Sequence, residues 1–269
     1  MNSCAVIIVN YNTGKLLSQV IDCVIKAQGV DEIIVVDNNS TDGSMELLPD
    51  NPKIKTILRK TNAGFGSSCN LGAKHAQSEY LLFLNPDCLI QKDSIVESVK
   101  TFNKSCKLAI VGALVKNSDG TEQQATRRGL PTLWRAIKTY TKIEKLAKYC
   151  GCFAGVNLNY KPMFKQAKQV EAISGAYIFI NASIFKELGG FDEGFFMHFE
   201  DLDLCKRSLD AGYRIILNPQ IEVIHYQGTS SQSNNHVSDY KKQSLQRYFC
   251  KHCSFFSYYV IKIISRFLR

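Results

Sequence analysis

Four apolar runs in this chain, CAVIIVNY, EIIVVD, EYLLFL and LAIVGALV, are continuous instead of alternating, and that limits the fold more than any other feature of the sequence. A strand with one wet face alternates apolar and polar side chains, whereas a strand covered on both faces does not. KIKTIL adds a fifth strand-like run. The segments between them, LLSQVIDCVIKA, a short DGSMELL, AGFGSSCNLGAKHAQ and DSIVESVKTF, carry apolar residues at helical spacing. Strands alternating with helices predict an α/β fold, a mainly parallel sheet flanked by helices. Ligands of such sheets sit beyond the carboxyl ends of the strands.

After the DG turn at Asp119 the alternation gives way to a basic segment with a helical stretch, WRAIKTYTKIEKLAKY. Structured sequence resumes at VEAISGAYIFI and continues through FKELGGFDEGFF, EDLDLCKRSLDAG, YRIILNP and IEVIHY. The expected layout is one α/β domain over residues 1–235, a basic insertion over 121–169 and an amphipathic helical tail over 236–269. A chain of 269 residues can bury a large core.

Charge divides the chain more sharply than its total suggests. Between Arg127 and Lys168 there are ten Lys/Arg against Glu144 alone, a net of +9; from Lys241 to Arg269 there are seven and no acid. With +9 over the whole chain, the remainder carries −7. A mildly acidic body with two basic segments points to an anionic surface or substrate met at two places. Nucleic acid is disfavoured, because no helix-turn-helix, RRM-type or finger signature accompanies the charge.

The ten cysteines are scattered through apolar elements (Cys4, Cys23, Cys88, Cys106, Cys205), which favours reduced core thiols over a disulfide framework. The nearest approach to a metal knuckle is CKHC, Cys250 to Cys253, with CGC at Cys150 to Cys152 as a conceivable partner, but the two do not have usual spacing on both sides. No apolar run reaches the roughly 20 residues that span a bilayer. The start, MNSCAVIIVNYN, has no basic region or cleavage site ahead of its first strand, so the expected location is cytoplasmic.

Polar residues gather at the predicted strand ends: Asn10 and Asn12 after the first, Asp37 to Asn39 after the second, Asn62 to Asn70 after the third, Asn85 to Asp87 after the fourth. Asp37 in VVDNNSTDGS is placed to accept hydrogen bonds from a ribose or base, although the same residue types make ordinary turns. In TNAGFGSSCNLG, glycines ahead of a helix let backbone amides approach a diphosphate. The pattern is neither a P-loop nor G-x-G-x-x-G. In FLNPDC, Pro86 fixes the direction in which the chain leaves the sheet, and Asp87 projects where a lone carboxylate suits a hard cation completed by phosphates. A turn or helix cap is the alternative.

Further on, GGFDEGFFMHFEDLDLCKRSLDAG concentrates Asp192, Glu193, Glu200, Asp201 and Asp203, the last part reading as a helix that ends at Gly212. The run FFMHF excludes water beside Glu200 and Asp201 and tends to raise a carboxyl's pKa toward general-base duty. First-turn acids also simply suit the helix dipole. His225 at the end of IEVIHY is either a metal ligand or a strand-end residue.

Taken in order, VIIVNYN, VVDNNSTDGS, N-A-G-F-G with Asn70, FLNPD, GGFDEGFF, FEDLDLCKR and IHYQGTS resemble the inverting glycosyltransferases of family 2, with the Rossmann-like GT-A fold. The resemblance is greatest to rhamnosyltransferase-like enzymes of bacterial O-antigen and other surface polysaccharides, and covers about Ala5 to Ser231. It implies that Asn10, Asn12 and Asp37 hold the donor's nucleoside, that Asn62, Gly64 and Gly66 line the nucleotide pocket, and that Asn85 stands beside it in place of the first aspartate of D-x-D. Asp87 is then the remaining metal ligand, with His225 as a second, for Mn²⁺ or Mg²⁺. Asp201 is the implied catalytic base, with Glu200 and Asp203 orienting it or the acceptor. Asn85 weakens the electrostatic hold on the cation.

The implied donor is a nucleotide sugar, with TDP-L-rhamnose the first choice. The implied acceptor is a polyprenyl-diphosphate-linked saccharide facing residues 121–169. FFSYYVIKIISRFLR, with Lys262, Arg266 and Arg269, has the pattern of a helix lying in the inner leaflet of the cytoplasmic membrane. Packing of that helix on the domain is the competing expectation. A sugar-nucleotide nucleotidylyltransferase needs a Gly- and Arg-rich loop where NYNTGKLLSQ stands. A non-catalytic nucleotide-sugar-binding subunit has no need of both Glu200 and Asp201. A processive synthase lacks support, since transmembrane helices and Q-x-x-R-W are missing.

Overall fold

The computed structural model describes residues 3–226 and 237–267. The first half runs β1 (Cys4–Asn10), α1 (Lys15–Lys26), β2 (Val30–Asp37), β3 (Ile54–Leu58), α2 (Phe65–His75), β4 (Tyr80–Leu84), β5 (Cys88–Ile90), α3 (Ser94–Asn103) and β6 (Leu108–Lys116). The basic segment contains β7 (Arg127–Arg128), α4 (Leu133–Tyr140), 3-10 turns at Ile143–Lys148 and Gly151–Phe153, and β8 (Lys168–Gln169). Then follow β9 (Ala172–Ile173), β10 (Tyr177–Asn181), α5 (Ala182–Glu187), α6 (Glu200–Asp210), β11 (Arg214–His225), α7 (Val237–His252) and α8 (Phe255–Ile264). The motif residues Gln227 to Ser231 and the basic Arg269 fall outside the described residues.

The main sheet has the order β3-β2-β1-β4-β10-β6-β11-β5, with β8 beside β11. Strands β1, β2, β3, β4, β6 and β11 share one direction, while β5, β8 and β10 oppose it. The sheet is therefore mostly parallel, as its apolar strands predict, but a reversed strand, β10, sits at its centre. Hydrophobic periodicity reports burial and carries no information on direction. β7 and β9 pair separately as a two-stranded ribbon.

Both faces of the sheet are covered. On β1, Val6 and Ile8 join one core with α1 and α3, while Ala5, Ile7 and Val9 join another with residues of α2, α6 and α7. Every residue of β1 and β4 is buried, which is why neither alternates.

Three elements differ from the sequence expectation. YRIILNP and IEVIHY form one strand, β11, whose register slips between Asn218 and Glu222, so that Pro219 lies in the irregularity where no ladder donor is needed. WRAIKTYTKIEKLAKY breaks after Tyr140. Lys142 there has φ +61°, Thr141 Oγ1 donates to Ile137 O, and Thr139 Oγ1 donates to Glu144 Oε2 at 2.6 Å, local bonds that compete with a continued helix. DGSMELL makes only a 3-10 turn at Ser44–Leu47.

The tail behaves as two parts. Leu245, Tyr248 and Phe249 place α7 within the second core, and Arg247 and Lys251 reach Asp192 at 2.7 Å each. α8 buries Ile261 and leaves Phe255, Phe256, Tyr259 and Ile263 exposed.

Candidate active site

Beyond the carboxyl ends of β1 and β4 lies a cavity of about 1130 Å³, walled also by the loop before α2, the β4–β5 turn, α4 and the start of α6. Of the residues singled out in the sequence, Asn62, Gly64, Asn85, Asp87, Glu200, Asp201 and His225 line it.

The β4–β5 turn and β11 bring Asp87 to His225. Asn85 N–H donates to Ala176 O, and Cys88 N–H donates back to Asn85 O, so the chain reverses through Pro86 and Asp87. β5 then pairs with β11 in a register that sets Cys88 opposite His225. His225 Nε2 lies 3.1 Å from Asp87 Oδ1, and its Nδ1 lies 2.9 Å from Gln123 Oε1. An amide oxygen is only an acceptor, so this contact places a proton on Nδ1 and leaves Nε2 with a lone pair toward Asp87 unless the ring is charged. Two ligand atoms each about 2.1 Å from an octahedral cation are about 3.0 Å apart, so this pair fits a shared divalent ion. Cys88 Sγ lies within 4.8 Å of both. Burial, with Asp87's charge adding to it, pushes that thiol well up. Among the described residues, the two cysteine pairs at 150–152 and 250–253 form no cluster of three metal-binding groups.

The loop before α2 is fitted against the segment preceding α6. Asn62 Oδ1 accepts from Gly64 N–H at 3.0 Å, and Phe65 N–H donates to Phe196 O at 3.0 Å. Gly64 has φ +84°, and a Cβ there would lie 2.3 Å from Phe196 O, so a side chain is excluded on two counts. Gly66 packs against Phe191 and does not line the cavity.

Asn10, Asn12 and Asp37 sit behind the lining. Asn10 Nδ2 lies within hydrogen-bond distance of Asp37 Oδ1, Ser40 Oγ and Ser44 Oγ, and Asp37 also accepts from Ser40 N–H. Asn12, at φ +52°, accepts from Thr41 N–H. Their neighbours Val9, Tyr11 and Asn38 face the cavity.

α6 starts abruptly. His198 and Phe199 both have left-handed backbones, φ +67° and +69°, which bulky residues adopt only under constraint. Phe199 O nevertheless accepts Asp203 N–H at 2.8 Å in the first helical turn. Asp201 is buried and ion-paired with Arg128, and its Oδ2 accepts Gly175 N–H at 2.8 Å. A Cβ on Gly175 would stand 3.0 Å from that same oxygen. Glu200 is pushed up to about 8 by burial first and by Asp201's charge second, and its Oε2 has no hydrogen-bond partner among the described residues. Asp203 turns away from the cavity to Arg207, Lys251 and His252, at 2.8, 2.8 and 2.7 Å.

Sequence reasoning missed Arg128, Gln123, His198 and Lys241, all of which line the cavity. His198 is pulled down to about 4 by burial, with Lys241 adding to it, so the ring is neutral near pH 7. Arg128 carried no signal of its own among ten cations. Arg127 beside it is taken by Glu122 at 2.8 Å, and Arg135 by Glu171.

Fold and cavity are those of a mostly parallel α/β protein whose ligand site lies beyond the carboxyl ends of its strands. The chain belongs to glycosyl transferase family 2, whose sequence profile matches residues 5–162. It is 26% identical over 231 residues to the low-salt glycan biosynthesis hexosyltransferase Agl10 of Haloferax volcanii, covering 84% of this chain and 68% of that one. It is 27% identical to the rhamnosyltransferase WbbL of Escherichia coli, covering 61% of each chain. To the N-acetylglucosaminyl-diphospho-decaprenol L-rhamnosyltransferase of Mycobacterium tuberculosis it is 24% identical, covering 74% of this chain and 67% of that one. The chain thus spans about three fifths to two thirds of these relatives' lengths. Among solved structures, GalNAc-T7 with UDP, GalNAc and Mn²⁺ superposes with a TM-score of 0.66 at 16% identity, covering 91% of this chain and 47% of that one. The mannosyltransferase PcManGT of Pyrobaculum calidifontis with GDP-Man and Mn²⁺ gives 0.61 at 16%, covering 92% and 63%. At such identities the likeness is one of fold, GT-A.

Proposed function

We propose that this cavity transfers a sugar, with inversion, from a nucleotide-sugar donor to a hydroxyl of a lipid-linked saccharide in cell-surface polysaccharide synthesis. The observation that carries the reading is the presence of two dissimilar groups in one cavity: the Asp87–His225 pair, which fits a cation, and the Glu200–Asp201 pair, one member of which is held in an ion pair. Asp87 and His225 hold the divalent ion, Mn²⁺ or Mg²⁺, with Gln123 fixing the imidazole tautomer. When bound, that ion supplies charge stabilisation to the departing diphosphate. Asn85, Asn62 and the backbone at Gly64 line the donor side, and the Asn10–Asp37–Ser40 network with Asn12 fixes the loop that carries Tyr11 and Asn38.

On the acceptor side, Asp201 takes the proton of the attacking hydroxyl. A bond forms between that oxygen and the anomeric carbon as the bond to the nucleoside diphosphate breaks, and the leaving group departs on the opposite face. Arg128 and Gly175 N–H hold the carboxylate in place. Glu200, protonated near pH 7, gives its neighbour no second negative charge and offers a hydroxyl donor to the acceptor. The named activities of the similar hexosyl- and rhamnosyltransferases support a hexose or deoxyhexose, with TDP-L-rhamnose as first choice, and the decaprenol-linked substrate in one relative's name supports a polyprenyl-diphosphate acceptor.

The test is calorimetry with TDP, UDP and GDP sugars in Mn²⁺ and again in EDTA. We expect one carrier to bind in metal and to weaken by about 10- to 100-fold in EDTA and in Asp87→Ala, the range typical of damage to a metal site. Metal-independent binding of equal strength in both proteins would remove Asp87 and His225 from this role.

A further inference from the structure

We propose that the basic insertion and α8 form one continuous surface that seats on an anionic lipid bilayer, beside the cavity wall made by α4. The inference deepens the lipid-linked-acceptor reading and rests on it, but concerns a different part of the molecule. Twelve large hydrophobic side chains are exposed among the described residues, and eight of them fall in two short stretches: Trp134, Ile143, Leu146 and Tyr149 in the insertion, and Phe255, Phe256, Tyr259 and Ile263 on α8. Exposure there is high: 69% for Trp134, 77% for Tyr149, 76% for Phe255 and 71% for Phe256. Single apolar residues on a surface need no explanation, whereas concentration of this kind does.

α8 wears its apolar stripe outward. Phe255, Tyr259 and Ile263 recur every four residues on the exposed face, while Ile261 is its buried residue. A terminal helix stabilised only by packing on the domain would present the opposite pattern. At 10 residues it is about 15 Å long, half of a hydrocarbon core of about 30 Å, so it lies along a surface and does not cross it.

The two stretches adjoin. Cys253, just before α8, lies with its Sγ 4.0 Å from Pro131 O, just before α4, and Ala136, Tyr258 and Ile261 belong to one core. The same stretches carry the unneutralised charge. Arg127, Arg128 and Arg135 are consumed in ion pairs with Glu122, Asp201 and Glu171, whereas Lys142, Lys145 and Lys148 project from the 3-10 turn without an ion pair among the described residues. Lys262 lies over the rings of Tyr258 and Tyr259 at 5.7 and 5.9 Å.

Aromatic rings at the waterline with lysines among them match a bilayer interface bearing negative headgroups. Cores of protein–protein interfaces are depleted in lysine, which favours lipid over a second copy of the chain. Because Ala136, Thr139 and Tyr140 of α4 also wall the cavity, a membrane-held acceptor would enter beside the surface that docks.

Trp134 is the chain's only tryptophan, so its fluorescence reports on this surface without any substitution. Phosphatidylcholine vesicles containing phosphatidylglycerol should shift the emission to the blue, and lipids brominated on the acyl chain should quench it. Vesicles of phosphatidylcholine alone should do neither. Replacing Lys142, Lys145 and Lys148 with Gln should weaken partitioning by about fivefold for each charge removed. Phe255→Ser with Phe256→Ser should weaken it by about tenfold or more.

Unchanged Trp134 emission with anionic vesicles overturns the proposal. So does cosedimentation without an emission change, which would leave α8 binding alone. A blue shift that needs no lipid, grows with protein concentration and vanishes in the Phe255/Phe256 variant would make the face an interface between copies. Donor calorimetry on the same samples separates the two readings, since loss of donor binding strikes the transfer reaction and leaves the emission shift untouched.

Discussion

Asn10, Asp37, Ser40, Asp42 and Ser44 at the β1–β2 end of the molecule hydrogen-bond mainly to one another, whereas at the α6 end Arg128 Nε, His198 Nε2 and Glu200 Oε2 are buried with no partner among the described residues. The first end is not perfect, since Asn10 Oδ1 and Thr13 Oγ1 are also unpartnered. Yet only the α6 end adds two successive left-handed non-glycine residues and a carboxyl displaced to about 8. Each buried orphan costs about 1–3 kcal/mol and each strained residue about as much. Such a wall persists only because its neighbours hold it: Asn70 from α2, Ser244 through Met197 O, and Tyr240 stacked on Phe196 at 4.3 Å. The contrast separates a polar frame that largely satisfies itself from a wall that keeps buried polar groups unpaired among the described residues.

The sharpest way to break that contrast is Asp201→Asn. Removing the proton acceptor while keeping the shape should lower turnover by about 10²–10⁴-fold and leave donor affinity unchanged, the signature of a group used in the transition state. Measured kcat for transfer beside calorimetric donor binding decides it. Equal loss of both would mean that the two ends are one site and that Asp201 holds the donor.

A smaller effect tests how the two ends are joined. Asn70 donates to Phe191 O at 2.8 Å and accepts Phe191 N–H at 2.8 Å, and it also reaches Glu193 at 3.0 Å. Asn70→Ala leaves Phe191's N–H and carbonyl unpaired in a buried place, a loss of about 2 kcal/mol. Thermal unfolding should show Tm lower by about 4–8 °C. Donor affinity should hold while acceptor KM rises. An unchanged Tm would show that α7 alone supports the wall.

How much of this was legible in the sequence follows from what local pattern encodes. Continuous apolar strands fixed both faces of the sheet, and the polar clusters after them located the cavity, because strand ends are a local property. That Asp87 would meet His225 depended on the β5–β11 register, which no pattern displays, and only the order of family-like motifs pointed there. Direction was unreadable for β10, whose YIFIN looks the same either way. Arg128 was hidden for a different reason. It lies 73 residues before Asp201 in a segment where ten cations look alike, and only the pairing of β7 with β9 selects it. His198 gave no sign, since left-handed backbone at a His-Phe pair is imposed by packing.

Glu200 bears most directly on the cost of the α6 wall, through an effect that appears only as pH rises. Its folded value of about 8 stands above the ordinary 4.5, so the native state keeps a proton that the unfolded chain releases. Below about 4.5 the carboxyl is neutral in both states and costs nothing. Between there and about 8 the unfolded state binds fewer protons, so stability falls as pH rises; above about 8 the full penalty is present. Glu200→Gln removes the titration and keeps the shape. Its Tm should match the wild type at the acid end of this window and exceed it by a margin that grows toward the alkaline end. Since Asp201's charge adds to burial in raising Glu200, the comparison should be repeated in Asp201→Asn. If the neighbouring charge contributes, the wild-type slope shrinks there; if burial alone sets it, the slope is unchanged. Parallel Tm curves for wild type and Glu200→Gln would mean that Glu200 is ionised in the folded protein, and the α6 wall would then hold two carboxylates against one arginine.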